Sequence, residues 1–406
     1  TIYEKGAEIV RMLYTLFGHD DFMAGMNIYI NRYDGCAVTT EDFVQAIVEG
    51  AKDSSIKKAF DIYQFCQWYY LSGTPVVLID SKWDPTKGEL TIFFHQYLTD
   101  KNTPSSFIIP VSLAVVSRSG SVQKEQLFVL DESSKTLLID GLESESECPS
   151  LSLFRSFSAP VKWEYSTDAN YYINLLKNDN DSFSRWDAAQ ALMKKILLIR
   201  YSGSIDLALE DNLLDIFNDL IINLSLDNSE LLSKILTIPS FSELECLENN
   251  VDPIKLYLAR INLISCFGKT LSSPLKTYLH DHSSDRFASW PLGKGQRKMI
   301  GIAWFWLSCS GDLEVLDSMV QAVKGKSMTL AKQALAALID IDCSQRQVAL
   351  SSFYATWHDR PLILDSWFYF EASTPGKDSI ERVKNLLSHP LFDRLSPNSY
   401  RAILGG

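Results

Sequence analysis

The sequence predicts a multidomain α+β protein: a helical segment at residues 1–73, a small β-sandwich at 74–165 and an α-helical, superhelical domain at 166–406. Three observations carry this reading. The apolar period is helical up to Gly73, becomes two at Thr74, and returns to helical after about Ser166. The short alternating runs in the middle are separated by turn residues at regular intervals, as in a sandwich. A chain of 406 residues is also too long for one ordinary core, so two or three domains are expected.

Each element has its own signal. Over residues 5–17, Ile9, Leu13, Leu16 and Phe17 share one helix face, and Gly18 supplies a stop. Asp20 is placed to cap the next helix, with Met23, Met26, Ile30 and Tyr33 on its apolar side. Thr40 is placed to cap a third, carrying Phe43, Ala46 and Ile47, and an aromatic helix over 60–70 ends at Gly73. Strands are expected at 74–79, 90–94, 108–116, 126–130, 136–139 and 161–165. Turn signals stand between them at Asp84-Pro85, Gly88, Ser119-Gly120 and 131–134. Ser184 and Asp187 read as a capping box for a helix over 185–200. Helical patterns follow at 206–224, 229–236, 252–266, 296–309, 313–323, 329–341 and 345–358. Helices joined by short polar turns indicate a solenoid-like array, although no fixed-period repeat is visible. Trp186, Trp304, Trp306 and Trp367 fall inside helical segments, where core packing accounts for them.

Composition excludes several function classes. With 38 basic and 50 acidic residues the net charge is -12, which disfavours nucleic acid and anionic membrane surfaces as partners. No apolar run approaches the roughly 20 residues that a membrane span needs. The seven cysteines contain no Cys-x-x-Cys pair, which favours a reducing compartment and hence a cytoplasmic protein.

No glycine-rich phosphate loop is present, and no Ser-His-Asp or Cys-His arrangement follows from spacing. The six histidines are His19, His95, His280, His282, His358 and His389. None belongs to a His-Glu-x-x-His pair, which would place two imidazoles on one helix face as zinc ligands. His280 and His282 fall in a stretch with Asp281, Ser283, Ser284 and Asp285 that reads as a polar loop, so solvated side chains are expected. Glu143, Glu145 and Glu147 form an acidic cluster without the spacing of a defined calcium loop. No metal site is therefore expected in this chain.

Tyr3-Glu4-Lys5-Gly6-Ala7 resembles the Tyr-Glu-Lys-Gly-Ala stretch of the aminopeptidase N (alanyl aminopeptidase) family of gluzincin zinc metallopeptidases. Other segments are similar in the same order. Residues 35–43 resemble the family's Asp-Gly-x-Ala-x-Thr-x-Asp-Phe segment. Residues 68–75 resemble Trp-Tyr-x-Gln-Ser-Gly-Thr-Pro, with Leu71 in place of Gln. Residues 157–162, 183–190 and 367–375 are similar to the bacterial-type branch.

The resemblance implies the helical tail of a thermolysin-like catalytic domain, then a β-sandwich, then part of a C-terminal helical domain. It implies a catalytic role for Tyr3, whose phenol would donate to the oxyanion of the tetrahedral intermediate. By residue type alone, a tyrosine at a helix start is a packing residue. Glu4 beside Tyr3 and Arg401 after Ser396-Pro397-Asn398 are the candidate substrate-binding residues, with an ordinary surface role as the plain reading of each. The implied cofactor is zinc, and the implied substrates are peptides cleaved at their N-terminal residue. The zinc-binding pair and the Gly-Ala-Met-Glu-Asn stretch lie N-terminal to the tyrosine in that family, and this chain has neither. The non-Met start at Thr1 and the stop at Gly406 lead to the expectation of a truncated chain, inactive and zinc-free by itself. Its residues 1–73 would then expose an apolar face, open to self-association. A stand-alone module that binds a peptide or protein on the sandwich and helical array is the alternative.

Overall fold

The computed structural model describes residues 2–52, 55–98, 106–143, 146–225, 228–246, 250–282 and 293–405. It forms two compact units, Thr1–Ala189 and Gln190–Gly406.

The first unit opens with α1 (Ile2–Tyr33), α2 (Thr40–Gly50), α3 (Ser55–Ala59) and α4 (Ile62–Tyr70). The stop at Gly18 is real but local. Its φ of 76° and ψ of 172° interrupt the helical path, and α1 resumes directly after it. Ile9, Met12, Leu13 and Leu16 are buried on one side. α1 and α2 cross closely because Gly25 and Gly50 meet there, and a methyl on Gly50 would overlap the backbone of Gly25. The cap of α2 is Thr39, one residue before the expected Thr40. Its hydroxyl accepts from Asp42 N–H, and the Asp42 carboxylate accepts from Thr39 N–H. That reciprocal pair needs the three-residue spacing, which Thr40 lacks.

The sandwich contains β1 (Pro75–Asp84), β2 (Glu89–Leu98), β3 (Ile109–Val116), β4 (Val122–Leu130), β5 (Ser134–Ile139), β6 (Ser150–Leu153) and β7 (Lys162–Tyr165). One sheet has the order β5-β2-β1-β7, with β7 parallel to β1, and the other has the order β4-β3-β6. β2 alternates cleanly, burying Leu90, Ile92, Phe94, Gln96 and Leu98. Phe94 stacks on Phe128 of the opposite sheet at 5.0 Å between centroids. β3 is apolar along almost its whole length because it packs on both faces, against the other sheet and against α1 and α5 (Ala169–Asn178). β6, Ser150-Leu-Ser-Leu153, is a strand that sequence periodicity did not single out; it is too short and too rich in serine.

The division between the units falls inside α6 (Ser182–Tyr201). The expected Ser184/Asp187 capping box is not what starts this helix. Asp181 is the cap, its carboxylate accepting from Ser184 N–H at 2.8 Å and from Ser184 Oγ at 3.0 Å. Sequence spacing alone does not separate the two arrangements.

The second unit is helical throughout its described residues. Its helices are α7 (Leu207–Ile222), α8 (Ser229–Ile235), α9 (Phe241–Glu245), α10 (Pro253–Thr270), α11 (Ser272–Asp281) and α12 (Lys294–Leu307). They continue with α13 (Leu313–Lys324), α14 (Met328–Leu338), α15 (Ser344–Trp357), α16 (Pro361–Ser373), α17 (Ser379–Leu387) and α18 (Pro397–Leu404). Asp206, Asp252 and Asp312 each cap a helix, accepting from the first turn of the one that follows. Trp306 is fully buried and its indole N–H donates to Leu236 O at 3.0 Å, which meets its one polar requirement. Gly268 lies directly on the Trp306 carbonyl, a crossing that admits no side chain. The helical segment, two-sheet sandwich and helical array form the multidomain α+β architecture that the periodicity predicted.

Candidate functional site

Tyr3 lies in the first turn of α1 with 88% of its surface exposed, and Glu4 beside it is also exposed. The next residues are held. Lys5 Nζ donates to Gly73 O at 2.9 Å and sits 6.0 Å from the Trp68 ring centroid. Gly73 adopts φ 98°, a left-handed conformation that suits a residue without Cβ. Thus Tyr-Glu-Lys-Gly-Ala and Ser-Gly-Thr-Pro, 68 residues apart at their point of contact, meet through one hydrogen bond. Gly6, on the turn after Tyr3, helps line a cleft of about 630 Å³ with Ile9, Val10, Tyr29, Phe43 and Trp68.

Two turns further along α1, Arg11 reaches the sandwich. Its Nε contacts Glu8 Oε2 at 2.7 Å. Its Nη1 donates to Ser156 O at 2.5 Å, its Nη2 donates to Phe157 O, and its guanidinium lies 5.5 Å from the Phe157 ring centroid. The recipient loop between β6 and β7 is strained. Phe154, Ser156 and Phe157 have φ of 51°, 54° and 54°, a region costing side-chain-bearing residues on the order of 1 kcal/mol each. The loop is held from other sides as well. Ser156 donates to the Asp181 carboxylate through N–H (3.0 Å) and Oγ (2.7 Å). Ser158 Oγ donates to Pro110 O at 2.8 Å and accepts from Ser112 N–H at 3.1 Å. Burial pushes the Asp181 carboxyl up, but the donors Ser156 and Ser184 outweigh it and leave the group below the usual carboxylate range.

The other sequence candidates lie on other elements. Arg401 lies in α18, exposed, donating to Asn398 Oδ1 at 3.3 Å. It lines a groove of about 400 Å³ with Lys332, Asp365, Tyr369 and Asn398. His280 is not in a loop. It occupies the last turn of α11, and His282 follows at the C-cap. The buried side chains of Leu275 and Tyr278 hold this stretch helical despite its polar neighbours. Two positions apart on a helix, the imidazoles diverge. His280 contacts Asp281, and His282 stacks on Tyr278 at 4.2 Å. Glu143 accepts from Ser121 Oγ at 3.5 Å, Glu147 lies 3.6 Å from Arg118, and Glu145 is outside the described residues. Among the described residues, no three His, Cys, Asp or Glu side chains converge on a common point. These residues do not fit a zinc site.

Comparison with known proteins adds to this geometry. Residues 169–406 match a domain of unknown function with ARM repeats (DUF3458_C), and residues 73–166 match a domain of unknown function with an Ig-like fold (DUF3458). Residues 1–66 match the peptidase family M1 domain. Aminopeptidase N of Escherichia coli (strain K12) is 28% identical over the whole chain, and that of Caulobacter vibrioides is 31% identical. The chain belongs to the DUF3458_C family and is a homologue of aminopeptidase N along its whole length.

The aminopeptidase N resemblance read from residues 3–7, 35–43 and 68–75 is thereby borne out. A crystal structure of Legionella pneumophila aminopeptidase A in complex with aspartic acid superimposes with a TM-score of 0.86 at 25% identity, covering all of this chain. The chain spans about half the length of the relatives it matches: 47% of the Escherichia coli protein, 46% of the Caulobacter protein and 47% of the Legionella chain. The homology is therefore to the C-terminal region of aminopeptidase N. Arg11 had escaped sequence reasoning because its partners lie 145 and 146 residues away.

Proposed function

We propose that this chain is a C-terminal portion of a zinc-dependent aminopeptidase that releases N-terminal residues from peptides. The observation that carries the reading is the M1 peptidase match over residues 1–66, which contain an exposed Tyr3 at the start of α1. In this reading zinc is held by residues outside this chain; among the described residues no group of His, Cys, Asp or Glu side chains is placed to hold it. Tyr3 donates its phenolic hydrogen bond to the oxygen that gains charge as the peptide carbonyl becomes tetrahedral. A donor aimed at charge present only in the transition state raises kcat rather than tightening substrate binding. Glu4 is the proposed partner of the peptide's polar groups beside Tyr3, and Arg401 the proposed contact from the helical domain. The seven unpaired cysteines support a reducing compartment, and the cytoplasm is the proposed location. Among the described residues no helix is long and apolar enough to cross a membrane.

The test compares this chain with the full-length enzyme, using an aminoacyl reporter and metal analysis. This chain alone is expected to release nothing and to bind no stoichiometric zinc. In the full-length enzyme Tyr3→Phe is expected to lower kcat about 100-fold or more, with KM little changed. Chelator-sensitive turnover by this chain alone would sink the reading.

A further inference from the structure

We propose that the β-sandwich side of the first unit is the positioning element for Tyr3, acting through two cationic tethers on α1. Lys5 holds the Gly73 carbonyl at the entry to β1, and Arg11 holds the Ser156 and Phe157 carbonyls between β6 and β7. The proposal rests on the catalytic reading of Tyr3.

The geometry of the tethers suits the task. A helix start is its least constrained part, since its first N–H groups have no partner within the helix. Tyr3 sits there, solvent-exposed, with no packing of its own to fix it. Arg11 lies six positions after Lys5, so their side chains leave the helix about 120° apart around its axis. Two anchors in different directions fix both the rotation of the helix and its position along the axis; one anchor would leave a pivot. Arg11 is suited to its half of this arrangement. Consecutive residues in the left-handed region turn their carbonyls to the same side, and the planar guanidinium fork takes both at once.

The strained loop is what makes that pair of carbonyls available. Asp181 and Ser158 hold its other side, so the strain is fixed from α6 and β3 independently of α1. A loop that paid for its conformation only to carry the chain from one sheet to the other would need neither Arg11 nor Asp181. Lys5 and Arg11 are accordingly positioning residues, and Tyr3 is the catalytic one.

The experiment is a double-mutant cycle in the full-length enzyme, with amide exchange on this chain. Arg11→Ala is expected to lower kcat at least about ten-fold while KM stays within about two-fold, since small misplacements of a catalytic group are costly. In a Tyr3→Phe background the same change should cost less than about two-fold, because the group it positions is gone. An equal loss in both backgrounds overturns the proposal. Lys5→Met keeps the stem over Trp68 but removes the donor, and should show the same non-additivity if Arg11→Ala does not fold. Separately, Arg11→Ala in this chain should speed amide exchange over residues 5–10 about ten-fold relative to strand β3; unchanged protection there overturns the tether. A Tyr3→Phe enzyme with normal kcat removes the catalytic reading and the proposal with it, whereas the exchange measurement reports on the tethers alone.

Discussion

At the residue scale, the most consequential pair is Arg155 with Asp179, because both side chains are withdrawn from water. They retain 4% and 0% of their surface, and Nη1 meets Oδ1 at 2.7 Å. Ser152 Oγ accepts from the same Nη1 at 2.9 Å, and Asn180 Oδ1 accepts from Nη2. Asp179 also accepts from Asp181 N–H at 2.9 Å, so one carboxylate orders the turn that presents the α6 cap. Asp179→Ala removes the buried counter-charge and leaves the guanidinium only the largely exposed Glu125, 3.5 Å from Nε, so the loss falls at the lower end of the about 3–5 kcal/mol for a broken buried pair. Urea unfolding of this chain should show a stability loss of that size, seen as a lowered midpoint at unchanged slope. A loss below about 1 kcal/mol, the value of an exposed ion pair, would mean that water enters the site. The pair was not legible in the sequence: nothing in Phe154-Arg155-Ser156 distinguishes a buried arginine from a surface one, since burial is decided by α5 and α6 folding over it.

At the element scale, α15 to α18 form a small bundle around Leu364, Phe368, Leu386, Phe392 and Ile403. His389 plugs its side. The imidazole lies against Tyr354, Trp367 and Phe368 at centroid distances of 5.4 to 5.7 Å. Nδ1 accepts from Leu391 N–H at 3.1 Å, which requires that nitrogen to be unprotonated, and Nε2 faces Tyr354 Oη at 3.3 Å. Burial holds its pKa below the ordinary value of about 6.5. A depressed folded pKa means that the unfolded chain binds the proton more readily. The stabilisation is therefore fully present above about pH 6.5 and is lost as pH falls through the folded value. Thermal melts should show stability falling with acid below about pH 6.5, and His389→Gln should flatten that dependence. A variant that keeps the full slope would place the titration elsewhere. These helices also show where periodicity stops being informative. α16 is mostly apolar and aromatic with its polar residues scattered, so no face stands out, and α18 is a short polar helix recognisable chiefly from Ser396 and Pro397 at its start. The amphipathic α13, by contrast, was legible to within a residue.

At the scale of the whole molecule, the sequence carried the order of the three architectures because each imposes its own period over many residues. It carried the aminopeptidase N resemblance because five adjacent residues, 3–7, preserve a motif. It could not carry the tethers of α1, whose partners are backbone carbonyls with no side-chain signature. The same segment bears the last prediction, that this chain self-associates through residues 1–73. Ile9, Leu13, Val44, Ile47 and Phe65 are buried, so these helices have a core of their own. Yet Tyr14, Met23, Ile30, Val38, Tyr63 and Tyr70 are exposed, and the cleft beside Tyr29 and Phe43 is open. The M1 match covers only this segment, and the relatives are about twice as long. The proposed natural occupant of the cleft is therefore the zinc-bearing part of the same domain, and a second copy of the chain is its substitute when that part is missing. Sedimentation should show mass rising with protein concentration, and Val38→Lys, at the rim of the cleft, should suppress the rise by burying a charge in any such contact. A chain that stays monomeric up to its solubility limit, with exchange over α1 and α2 as slow as in β3, would mean that the segment is already closed and needs no cover.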